Sequence, residues 1–353
     1  MIPIAQTVYR VDRSYSWNYS HAPKLPRMRR LPTGPGGRLF DYQLNSPLGI
    51  AAGPLLNSRW VEVYARAGFD ILTYRTVRSS FAPAHPLPNI RPVENREEAA
   101  VAVRRSGVNG RPTLAISLGM PSMEPDVWRK DIHRAKERLG PGQVLVVSVL
   151  GTVPDGGDRE GLIDDYAQCA RWAEDAGADV VEAHLAWPDP FAGQPQAIYE
   201  DLAFSAQILH RVRSRVGVPV LAKLGAFRTQ RQLHETATRL APWTHGFVLI
   251  HGFQRRVVDE SGNAAFEGEG RERADIVGAD TFPAASRQIG ELLSWRRAGC
   301  WDRVVLGVGG VTSVERAQHL LREGCDGVLV ATAALYDPQL AVRFRQQQAS
   351  AVA

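Results

Sequence analysis

Only four of the 42 basic residues are lysines, and one of them, Lys223, stands where a charge could do chemistry. It lies near the end of the apolar run PVLAKLG (219–225), where burying a charge is costly unless a partner or ligand meets it. A lysine so placed can sit beside an electron-rich ring and stabilise its anionic form, or act as a Schiff-base nucleophile. Two small-residue turns come late in the chain: GVGG (307–310), leading toward a helix near Ser313, and VATAA (330–334). Glycine lets the backbone approach a phosphate closely, and amides that open a helix favour an anion. His184, in DVVEAHLA, and His251, closing GFVLIHG, end β-like runs, and imidazole is the side chain whose unperturbed charge change lies nearest neutrality. Each has a plainer reading as a packed strand residue. Asp189, between two prolines, competes between catalysis and an ordinary turn.

The elements that must carry these residues form a regular alternation. Eight short apolar or β-branched runs occupy 46–53, 69–77, 143–151, 179–186, 219–225, 246–252, 303–310 and 327–334. Amphipathic stretches such as SRWVEVYARAG and SVERAQHLLREG separate them, several closing on glycine, which favours the helix C-terminal cap. Strands alternating with helices argue for parallel pairing, and eight repeats close most simply as an α/β fold of the (β/α)8 TIM barrel type. GVGG and VATAA then follow the seventh and eighth strands, where such barrels commonly hold phosphate. An open doubly wound sheet is the structural alternative, but no GxGxxG opens the first helix. Two connections, 78–142 and 253–280, are long for plain βα loops and are expected to cover the C-terminal barrel mouth. Within the first, PTLAISLGM reads as a strand and PDVWRKDIHRAKERLG as a helix. Residues 1–37 lack a 3.6-residue period and read as an ordered arm, leaving 38–353 as a single barrel domain.

Composition narrows the function classes. With 44% apolar and 22% charged residues, the chain can bury a large core. Its net charge of +5 is scattered rather than gathered into a basic stripe, so nucleic-acid binding is not expected. No apolar run suggests a membrane span, and the first residues carry no signal-peptide pattern. Cys169, Cys300 and Cys325 have no CxxC or Cys/His spacing, so neither a disulfide framework nor a metal site is expected, and a cytoplasmic setting fits. Cys169 is expected on a helix face turned to the sheet, and Glu182 as a satisfied interior carboxylate.

Over about residues 38–340 the chain resembles the dihydroorotate dehydrogenase family of flavoproteins. The matching stretches are NSPLGIAAGPLLN (45–57), the strand ending in Thr76 with HPLPN (85–89), SLGMPS (117–122), DVVEAHLAWPDP (179–190), PVLAKLG, RVVLGVGG (303–310) and LVATAALY (329–336). The resemblance implies FMN at the barrel mouth, its phosphate on Gly309, Gly310, Ala331 and Thr332. It implies a flavin ring over Ala52 and Gly53, near Thr76 and Ser148, with Lys223 reaching the N1/O2 edge.

On the substrate side the chain departs from that pattern. The family's active-site loop reads Asn-x-Ser-(Cys or Ser)-Pro-Asn, the Cys or Ser taking the substrate's proton; here the string is His184-Leu185-Ala186-Trp187-Pro188-Asp189. Indole has an N–H donor and no basic lone pair, so Trp187 cannot be that base. Ile116, Asp189 and His251 stand at other positions of substrate-binding asparagines, and Tyr74 where one branch carries a flavin-site lysine. The expectation is an FMN oxidoreductase that transfers a hydride at a carbon–carbon bond of a small polar or cyclic molecule other than dihydroorotate. His184, His251, Asp189 or Tyr74 would handle the proton, and Trp187 and Ile116 would line the substrate pocket. Dihydroorotate oxidation with a relocated base, Schiff-base chemistry at Lys223, and a flavin-binding protein without turnover are the alternatives. The electron donor or acceptor is left open, and a homodimer is one expectation for assembly.

Overall fold

The computed structural model describes residues 8–25, 31, 32, 34, 36–96, 99–103, 112–193 and 195–352. Eight parallel strands close into a barrel: β1 (Leu48–Ile50), β2 (Ile71–Val77), β3 (Val144–Val149), β4 (Val180–His184), β5 (Val220–Lys223), β6 (Gly246–Leu249), β7 (Val304–Gly307) and β8 (Gly327–Val330). Each pairs with its sequence neighbours, and β8 pairs with β1, as an eightfold β/α alternation requires. The helices are α1 (Ser58–Arg66), α2 (Pro125–Glu137), α3 (Arg159–Asp175), α4 (Leu202–Arg215), α5 (Gln230–Leu240), α6 (Phe282–Arg297), α7 (Val314–Glu323), α8 (Thr332–Tyr336) and α9 (Leu340–Val352). Local signals set their ends. Asn57, Asp158, Asp201, Thr229 and Ser313 each cap a helix N-terminus through a side-chain oxygen, and Gly324, at φ +114°, ends α7 in the left-handed cap conformation.

The two-residue period of a strand sorts side chains to the two sides of the barrel wall. Leu145, Val147, Val181, Ala183, Ala222, Phe247 and Val328 pack outward against the helices, in the larger of the apolar clusters, and Cys169 on α3 is buried there as expected. Ile71, Val144, Val146, Val180, Leu221, Val248, Leu306 and Leu329 point inward and fill the lower barrel. A hairpin, Gly37–Leu39 with Tyr42–Leu44, brings Leu39 and Leu44 into that inner cluster and stoppers its N-terminal end. Continuing the same alternation upward, Ser148, Glu182, His184 and Lys223 follow the inward-facing apolar residues, so polar chemistry begins where the apolar plug stops.

The two long connections do more than drape over the mouth. Ile90–Asn95, Ala100–Ala102 and Thr113–Ile116 from the first pair with Phe253–Val258 and Arg273–Gly278 from the second to close a five-stranded barrel of their own. Residues 253–280, which read as a glycine- and charge-rich loop, thus contain two strands. Val93, Ala115, Val257, Phe266 and Ile276 form a separate small core under it. The expected helix of the first connection is α2.

The arm departs from its helix-free reading at one point: Tyr15–Ser20 is a short helix capped by Ser14. It is held against α1, where the Trp60 indole donates to Asn18 O at 3.2 Å, and the Val8 amide donates to Leu335 O at 2.8 Å. Among the described residues no helix is long and apolar enough to cross a membrane.

Candidate active site

A cavity of about 930 Å³ opens between the C-terminal ends of the barrel strands and the five-stranded lid. Its size and position are those of a small-molecule or cofactor site in this architecture. Of the residues singled out from sequence, Ala52, Gly53, Thr76, Ile116, His184, Trp187, Lys223, His251, Ala331 and Thr332 line it. Gly53 has φ +146°, and a Cβ built there would meet nothing within 4 Å, so glycine both permits the backbone and leaves space.

The floor is polar and deeply buried. Lys223 is 2% exposed, and its ammonium lies 3.5 Å from Glu182 Oε1. Neither oxygen of Glu182 accepts a hydrogen bond, which corrects its reading as a satisfied carboxylate: it answers the lysine's charge but keeps unused acceptors. His184 pairs in register with Lys223 on the neighbouring strand, and both of its ring nitrogens are without partners. Burial, with His251 and Lys223 nearby, pushes its pKa well below the usual 6.5, so it is a neutral imidazole. The His251 ring meets it edge to face at 4.8 Å.

His251 hangs at the junction of β6 and the lid. Its amide donates to Leu224 O at 2.9 Å, and its Nε2 lies 3.3 Å from Asp275 Oδ2 on the lid strand Arg273–Gly278. That contact is ion-pair distance without hydrogen-bond alignment, so Nε2 also counts among the buried atoms lacking a bond. Trp187, half-buried, roofs the pocket from the loop after β4, and its carbonyl accepts from Ile198 N at 2.9 Å.

Five expected site residues are not on the cavity wall. Tyr74 points outward from β2, and its hydroxyl donates to Asp131 Oδ2 on α2 at 2.8 Å; one step of strand alternation carries it to the helical side. Asp189 is buried in its loop, accepting from Arg159 Nη2 at 3.1 Å and Phe191 N at 2.9 Å, so it organises the turn and the expected proton role is not supported. Ser148 lies one layer behind, accepting from Thr76 Oγ1 at 3.0 Å. Gly309 and Gly310 follow β7 beside the wall residue Val308, with φ of +117° and +66°. A Cβ at Gly310 would stand 2.5 Å from Phe282 N, so only glycine fits that turn.

Sequence reasoning passed over Arg75, His85, Arg271 and Asp275. Arg75 is 7% exposed and lines the cavity from the end of β2. Arg271 is buried beneath the lid, where its guanidinium donates to Ser117 Oγ, Glu267 O and Pro88 O and so ties the two long connections together. His85 stands beside Ser117 at the cavity edge, and burial with Arg271 nearby lowers its pKa. Inward-facing Arg75 had a signal, a charge two residues after Thr73 on a buried strand, but ILTYRTV reads equally well with its arginine outside.

The fold and the polar floor define a (β/α)8 barrel with a ligand cavity at the catalytic end. No family model matches the chain. It is 28% identical over 369 residues to a dihydroorotate dehydrogenase of Dictyostelium discoideum, covering 97% of each. It is 27% identical over 319 residues to a dihydroorotate dehydrogenase (quinone) of Cereibacter sphaeroides, covering 87% of this chain and 77% of the relative. A dihydroorotate dehydrogenase (quinone) of an Acidovorax species is 24% identical over 311 residues, 85% of this chain and 81% of its own. The chain is a dihydroorotate dehydrogenase-like oxidoreductase.

Proposed function

We propose that this chain is an FMN-dependent oxidoreductase acting on a carbon–carbon bond of a small polar or cyclic substrate that is not dihydroorotate. The observation that carries the reading is the set of buried polar atoms without partners on the cavity wall, both nitrogens of His184, Nε2 of His251 and Nε of Arg75, with both oxygens of Glu182 buried behind them beside Lys223. Native interiors seldom leave such atoms unmatched, so their concentration under an open cavity marks where a polar ligand belongs. When bound, FMN supplies the hydride acceptor or donor.

The residues fit that group. Ala52 and Gly53 offer a flat, side-chain-poor wall for a ring, and Lys223 a buried cation for its electron-rich edge. Thr76 lies beside them, backed by Ser148. Gly309, Gly310, Ala331 and Thr332, at the ends of adjacent strands β7 and β8, are suited to the phosphate. His251 is best placed for the proton: it faces the cavity, and Asp275 stands 3.3 Å from its Nε2, close enough to orient the ring. Neutral His184 is a packing and hydrogen-bonding partner to whatever lies above it. Trp187 supplies an apolar roof and excludes water.

The substrate assignment rests on Trp187, because the loop offers no thiol or hydroxyl to take a proton. Similarity to relatives named dihydroorotate dehydrogenase favours a second reading, dihydroorotate itself with His251 as the base. Anaerobic mixing of the flavin-loaded protein with dihydroorotate separates the two. Unbleached flavin is the expected result; rapid bleaching that His251→Ala abolishes would establish the second reading instead.

A further inference from the structure

We propose that Glu182 is a positioning residue that acts through Lys223: it holds the buried ammonium from behind, moderates its charge toward the occupant of the cavity, and so lowers the reduction potential of a flavin bound there. The effect on the potential rests on the FMN reading; the hold on Lys223 does not. Two lysine–carboxylate pairs of this molecule are built differently. Just before β4, Asp179 accepts from Lys136 Nζ with both oxygens, at 2.6 and 2.7 Å, and its Oδ2 also accepts from Leu145 N at 2.8 Å. Those are the short, aligned contacts of a pair that secures the fold. At the end of β5 the Lys223 ammonium stands 3.5 Å from Glu182 Oε1, and neither oxygen of that fully buried carboxylate accepts a hydrogen bond. So loose a pair offsets little of the cost of burying two charges, which makes it a poor brace for the barrel.

Strand register sets the order of the two charges. Lys223 pairs with His184, while Glu182 stands two residues earlier on β4, between Leu221 of β5 and Ser148 of β3. Lys223 and His184 line the cavity, and Glu182 does not. A guest therefore meets the ammonium first, with the carboxylate fixed behind it. An ammonium has three donors on a flexible stem, and a partner at 3.5 Å leaves those donors to the guest while tempering the charge that it meets. Reduction adds negative charge to a flavin, so a carboxylate behind the cation opposes reduction, and its removal favours it.

Spectroelectrochemical titration of the flavin-loaded protein reads the effect. Glu182→Gln keeps the shape and removes the charge; it is expected to shift the two-electron reduction equilibrium about tenfold toward reduced flavin, a rise of about 30 mV in midpoint potential. The same substitution is expected to lose its effect in a Lys223→Met background, where no ammonium is left to moderate. The thermal midpoint reports folding, and Glu182→Met carries the same prediction should the glutamine variant fold poorly. If the purified protein holds no flavin and takes none up, the FMN reading fails alone, and reductive methylation of that protein still tests the hold on Lys223. With exposed Lys130 on α2 as the internal reference, Lys223 is expected to be methylated several-fold faster in Glu182→Gln than in wild type. An unchanged or lowered potential, an equal rise in the Lys223→Met background, or, in flavin-free protein, equal methylation of Lys223 in both forms overturns the proposal.

Discussion

At the scale of single residues, the site is a set of charges and dipoles held out of water with incomplete partners. His184 is the clearest case, because burial and the neighbouring cations hold it neutral in the fold while an unfolded chain binds its proton near the ordinary 6.5. Below that pH the unfolded state carries the extra proton, so the stability due to neutral His184 is complete above 6.5 and is lost on acidification. The dependence is about 1.4 kcal/mol per pH unit for one proton. His85 and His245, also depressed chiefly by burial, add slopes of the same sign. Urea unfolding at about pH 5 and about pH 7.5 should therefore show His184→Phe losing less stability on acidification than wild type. An unchanged difference between the two pH values would mean that His184 takes its proton in the fold as readily as outside it. The residue types at this site were partly legible. Lys223, His184 and His251 stand out because charged or titratable groups interrupt apolar runs. Glu182 and Arg75 follow the same rule but were harder to place, since facing depends on strand register, and a shift of one residue puts Tyr74 outside and its neighbour Arg75 within.

Among the elements, the eight barrel strands were readable because each is a short β-branched run set between amphipathic helices with their own caps. The lid was not. Its strands pair across the chain, Ala100–Ala102 and Thr113–Ile116 against Phe253–Val258 and Arg273–Gly278, and no local pattern encodes which distant segment a strand will meet. Arg271 is the side chain that makes the two insertions one unit, bonding Ser117, Pro88 and Glu267 from beneath. Replacing it with alanine removes these charge-assisted hydrogen bonds, each worth about 1.5–3 kcal/mol where it is buried, as the one to Ser117 is. The expected outcome of Arg271→Ala is faster amide exchange over residues 90–95, 113–116 and 253–258, with exchange in β3 and β4 unaltered. Uniform acceleration throughout the chain would show that the lid and barrel unfold together.

Across the whole molecule, an apolar plug fills the lower barrel, a polar floor sits above it, and a separately cored lid and an N-terminal arm enclose the space between. This layering puts groups that need a polar guest at the boundary between the apolar plug and the cavity, where electrostatic interactions are stronger than in bulk water. Whether the guest includes FMN is read from the visible absorption spectrum of the freshly purified protein, followed by identification of the cofactor released on denaturation. The expected result is a yellow protein with flavin bands and FMN released in near-equimolar amount. A colourless protein that cannot be reconstituted with FMN would contradict it.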